Sequence, residues 1–211
     1  MSDLRDLERR TFRAARDDGL LDVMIAAIVS ILALAPLLKG PLGDFWSSAI
    51  FGPVWFGLYL ITQVVSERVV VPRIGTVEAG ADRRSQLRRV NTVLLVVYGA
   101  ALGLGVTVGS GVWAGWLDLR GFALPIPLGV VALVVLSLVA YANSVWRYAV
   151  YGLLLAIAPL VGEWLWQNDL ANHHGFPVAF GAAALIILVT GIVRLTTVLR
   201  NHPLFHYPAT G

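Results

Sequence analysis

At 211 residues the chain has room for one compact domain, yet 57% of it is hydrophobic and only 14% charged, against about a quarter charged in ordinary soluble domains. It has no cysteine, which excludes disulfides, thiolate metal centres, iron–sulfur clusters and a thiol nucleophile. The net charge of +3 is modest and the arginines do not gather into one patch, which excludes a basic groove for nucleic acid.

The N-terminal stretch MSDLRDLERRTFRAARDD is densely charged and lacks the apolar run and small-residue cleavage site of a secretory signal. Leu4, Leu7, Thr11 and Ala15 recur at helical spacing with Phe12 beside them, and Arg5, Arg9, Arg10, Arg13 and Arg16 take the other faces. This predicts an amphipathic helix over 1–19, lying on an anionic membrane surface and ended by Gly19. The plainer alternative is a solvated helix leading into the first span.

That span is expected at 20–38, with Asp22 near its start and Pro36 near its end. Residues 39–44, Lys-Gly-Pro-Leu-Gly-Asp, form a tight turn into a second span at 45–66, where Pro53 predicts a kink. A polar loop covers 67–89. Its VVVPRIGTV stretch has the β-branched run, proline and glycine of an extended segment. Asp82 then caps a short helix leading to a third span at 90–110, where Gly99 and Gly103, and Gly105 and Gly109, make two GxxxG pairs suited to close helix packing.

After a gap at 111–121, apolar sequence runs from 122 to 166. As one helix it would measure about 65 Å against a hydrocarbon core of about 30 Å. Tyr141, Asn143, Ser144 and Arg147 divide it into spans at 122–141 and 147–166. A gap at 167–175 holding His173 and His174 precedes a last span at 176–199 and a tail at 200–211. The fold expected is an all-α integral membrane bundle of six transmembrane helices (20–199) with an N-terminal amphipathic surface helix.

Charge sets the expected orientation. The arginines of the N-terminal segment, the 67–89 loop, Arg147, Arg194 and Arg200 fall on one side of six crossings; only Lys39 and Arg120 fall on the other. The positive-inside rule puts both termini in the cytoplasm. Trp46, Trp113, Trp116, Trp164 and Trp166 gather at the opposite boundary, as an aromatic belt does.

No GxxxxGK[ST], HExxH, GxSxG or EF-hand motif is present, so no catalytic residue, cofactor or metal site is assigned and an enzyme is disfavoured. His173 and His174, near Glu163 and Asp169, could invite a divalent metal, but adjacent histidines rarely converge on one ion and a polar interfacial loop explains them. Glu67, Arg147 and Arg194 fall at similar depth near the cytoplasmic ends of spans, with Gln63, Asn91, Asn143 and Tyr148 nearby. They form a candidate polar cluster lining an inward-facing vestibule, against the simpler reading of arginines snorkelling to headgroups. Asp22 sits where a helix N-terminus favours a carboxylate.

The pieces RTFRAARDDGLLD, LGDFW and VVVPRIGTVE, in that order around two spans, resemble an uncharacterised group of small prokaryotic multi-span membrane proteins. Those proteins are similar in their charged N-terminal segment ending near Asp-Gly-Leu and in a PRIG loop after the second span. The resemblance covers roughly 8–90 and brings no activity. It implies that Asp18, Gly19, Leu20 and Asp22 act together with Pro72, Arg73, Ile74 and Gly75, the N-terminal helix docking on the PRIG loop at the cytoplasmic face. Two functions are carried forward. One is a small transport-type protein: channel, carrier or substrate-binding transporter subunit. The other is a non-transporting accessory or sensor that binds lipid headgroups or a cytoplasmic partner. The partners expected are the lipid bilayer and either further copies of this chain or another membrane protein.

Overall fold

The computed structural model describes residues 18–74, 84–85, 87–97, 99–100, 103 and 121–201. Every regular element among them is helical: α1 (Leu20–Ala49), α2 (Phe51–Val65), α3 (Val71–Ile74), α4 (Pro125–Asn143), α5 (Arg147–Gln167) and α6 (Phe176–Asn201), with short π and 3₁₀ turns between them. Five stretches are long and apolar enough to cross a membrane: Leu20–Gly43, Phe51–Arg73, Gly121–Asn143, Arg147–Gln167 and His173–Asn201. Their outward faces carry large apolar side chains such as Phe56, Ile61, Leu153 and Leu185, which hydrocarbon tolerates and water does not. The described positions between 84 and 103 are helical too. The rest of the expected third span, the surface helix at 1–17, Gly75 and the gap at 111–120 lie outside the described residues.

The chain divides into two compact units, Met1–Glu78 with Ala184–Gly211, and Ala79–Ala183. In the first unit, α1 is capped by Asp18, whose Oδ1 accepts the Leu20 N–H at 2.9 Å. Ile25, Ala26, Val29 and Ala33 bury one face of the helix. The chain breaks at Gly43 (φ 76°, ψ 169°), a conformation that costs an L side chain but not glycine. The turn is therefore one residue and not the whole of 39–44: Pro41 stays helical, and the second span begins at Phe51 in place of 45.

Two further expectations for this unit are corrected. Pro53 does not sit mid-helix but in the first turn of α2, where a missing N–H deprives nothing within the helix. The stretch expected to be extended is helical as far as it is described: Ser66–Val70 forms a π-helical turn and Val71–Ile74 an α-helical one. Pro72 has no N–H and its ring presses on the carbonyl of Arg68 in a regular helix. The wider turn, in which the Val71 N–H reaches back five residues to the Ser66 carbonyl, accommodates that conflict without ending the helix.

The second unit is built on the α4–α5 hairpin. Asn143 ends α4 and Ser144 takes the left-handed conformation (φ 55°). The Val145 N–H then bonds back to Ala140 O at 3.0 Å and the Ser144 N–H to Tyr141 O at 3.3 Å, the paired bonds of a Schellman ending. The long apolar run at 122–166 is thus divided within the polar cluster that the sequence singles out. Glycines let the two backbones touch: a Cβ on Gly129 would lie 2.6 Å from Ala156 O, and one on Gly152 would lie 3.2 Å from Leu133 O. Beyond α5, a Cβ on Gly162 would lie 2.9 Å from His174 O, so the 173–175 corner rests directly on the helix.

Candidate functional site

Four polar side chains interrupt the apolar run at the end of the second span: Tyr59, Thr62, Gln63 and Ser66. Their spacing is that of one helix face. That face looks into a cavity of about 240 Å³ whose other wall is the start of α1: Asp18, Leu20, Leu21 and Met24. Thr62 donates its hydroxyl hydrogen to Leu58 O at 2.8 Å. A polar stripe against lipid would be costly; turned to a cavity it can meet water or a solute. Both walls belong to the first unit.

The terminal helix holds this end of the unit together. Gly19 (φ +82°) crosses α6 so closely that a Cβ would lie 2.5 Å from Gly191 O and 2.8 Å from the Arg194 Cβ. A Cβ on Gly191 would lie 2.9 Å from the Cβ of Asp22 in return, and Asp22 is fully buried there. Arg73 reaches the end of the same helix, donating from Nη1 to Leu199 O at 3.3 Å. A cation suits a helix C-terminus. The Asp18–Asp22 and Pro72–Arg73 segments are thus both anchored to α6, by different contacts; Pro72 is exposed and Gly75 is outside the described residues.

The candidate polar cluster draws on both units. Glu67 is exposed on the π-helical turn and Arg194 exposed on α6, both in the first unit, whereas Arg147 lies in the second. Arg147 is only 8% exposed: its Nη2 donates to the Tyr148 hydroxyl at 3.2 Å, and its guanidinium carbon lies 5.0 Å from that ring's centroid. It is held by the protein, where snorkelling would leave it in the headgroups.

The second unit holds a buried carboxylate. Glu163 is 2% exposed. Its Oε2 lies 2.9 Å from His174 Nδ1, and its Oε1 accepts from Gln167 Nε2 at 3.1 Å. Trp166 packs on the His174 ring with centroids 4.2 Å apart. His173, His174 and Gly175 all have positive φ, which turns the imidazole back toward the helix. No group of three or more His, Asp or Glu able to hold a metal ion occurs among the described residues.

No family model matches this chain, and no curated protein or solved structure matches it either.

In the sequence only Gln63 of these four is conspicuous, as the most polar; the spacing 59, 62, 63, 66 is the signal that marks the whole wall.

Proposed function

We propose that the chain is a small transport-type protein of a prokaryotic inner membrane, with six spans and both termini in the cytoplasm. Its cavity between α1 and α2 is the place where a small solute binds. The observation that carries this reading is the polar stripe of Tyr59, Thr62, Gln63 and Ser66 aimed at that cavity from an otherwise apolar helix. The resemblance to small multi-span prokaryotic proteins is part of the proposal. Purification in native lipid followed by mass spectrometry tests the reading. A small molecule in stoichiometric amount is expected, lost when Ser66→Trp fills the cavity. Retention of the molecule by that variant would remove the cavity from the account.

The accessory or sensor reading is supported by a different observation, the anchoring of the Asp18–Asp22 and Arg73 segments to α6. It predicts a co-purifying protein that is lost from Arg73→Gln and retained by Ser66→Trp.

A further inference from the structure

Resting on the reading that α4 and α5 cross a bilayer, we propose that the turn between them is a membrane anchor. Its partner is the headgroup layer of the lipid, and it works through aromatic side chains without a cation. The turn joins two span-length stretches, Gly121–Asn143 and Arg147–Gln167, so it stands where hydrocarbon gives way to water. Within six residues it directs two aromatic side chains outward. Tyr141 is 63% exposed and Trp146 77%, the highest value for a large apolar residue among the described residues. A bare indole is costly in water, and in hydrocarbon its N–H loses its partners. The boundary suits both ends of it, the ring on the apolar side and the N–H on the wet one.

Asn143 and Arg147, which flank the same turn, are engaged within the protein. Asn143 donates from Nδ2 to Val139 O at 2.9 Å, back along its own helix. Arg147 is buried, with its Nη2 on the Tyr148 hydroxyl and its guanidinium over that ring. A cation held there does not make the direct contact to phosphate that an exposed arginine makes. What the corner offers the membrane is therefore neutral and amphipathic. The left-handed Ser144 and the paired backbone bonds behind it fix the turn, so both aromatics are carried by a defined corner.

The chain has no cysteine, so one introduced cysteine carries a spin label at a single place. Its depth in lipid nanodiscs is read from the ratio of collisions with oxygen, which prefers hydrocarbon, to those with a neutral nickel chelate, which prefers water. The Trp146→Cys label is expected to give a ratio between that of free label in buffer and that of Ile157→Cys, an exposed position at the middle of α5. The same ratio is expected in phosphatidylcholine and in its mixture with phosphatidylglycerol. Val150→Cys, exposed about 6 Å further along α5, reports the anchoring itself. Adding Trp146→Ala is expected to shift the Val150→Cys ratio, and adding Trp146→Tyr to leave it in place. A nickel-dominated Trp146→Cys label would put the corner in water, and one shielded from both reagents would put it under protein; either overturns the proposal. So does a ratio that moves with phosphatidylglycerol, or a Val150→Cys ratio indifferent to Trp146→Ala. If Ile157→Cys is itself nickel-dominated, the crossing of the bilayer fails first and the anchor with it.

Discussion

A carboxylate as buried as Glu163 has to be accounted for by its partners, because an uncompensated charge in an apolar interior is among the costliest features a fold can carry. Here His174 and Gln167 take one oxygen each. Removing the imidazole with His174→Ala is expected to destabilise the protein by roughly 1.5–3 kcal/mol, the range for a hydrogen bond to a charged group, toward the low end because His174 is half exposed. Replacing both residues by leucine should cost less than removing His174 alone, since no carboxylate is then stranded. Thermal unfolding in detergent reads both. Glycines give a second residue-level contrast. Gly175 is left-handed and its Cβ position overlaps the Gly162 backbone, whereas nothing lies within 4 Å of the Cβ position of Gly57. Gly175→Ala should lower stability by about 2 kcal/mol or more, and Gly57→Ala should raise it by up to about 1 kcal/mol. The sequence puts Glu163, His173 and His174 in one neighbourhood. It does not tell which histidine meets the carboxylate, because that depends on three consecutive left-handed residues of which only Gly175 announces itself.

Among the elements, legibility follows how local the deciding interaction is. The break between α4 and α5 is written in Asn143 and Ser144, which also make the turn, so composition and cause coincide. The 69–74 stretch misleads for the opposite reason. Its valines, Pro72 and Gly75 argue for an extended chain, and what holds Val71–Ile74 in place includes a distant contact, Arg73 with the end of α6. No local signal reports a carbonyl more than a hundred residues away. The chemistry of that contact gives a test. Arg73→Gln should cost roughly 1 kcal/mol, the usual size of one hydrogen bond. Thermal unfolding reads that loss; an unchanged midpoint would mean that the cap contributes nothing.

For the whole molecule, the apolar composition fits a membrane protein, and the five span-length helices with apolar outer faces agree with it. The number of crossings and their direction rest on the arginine distribution, which is a property of the loops. Reporters that fluoresce only in the cytoplasm, fused in turn to each terminus, should both light up, and one inserted within 111–120 should stay dark. A dark C-terminal fusion would overturn the even count. The π-helical turn at Ser66–Val70 bears on the molecule at this same level. Its surplus residue lies between the cavity face before it and Arg73 after it. Deleting a single position there would let the turn relax to a regular α-helix with its flanks in about the same phase, and would press the Pro72 ring against the carbonyl one turn back. The wider turn thus keeps the polar stripe and the Arg73 contact on one continuous helix despite the proline between them.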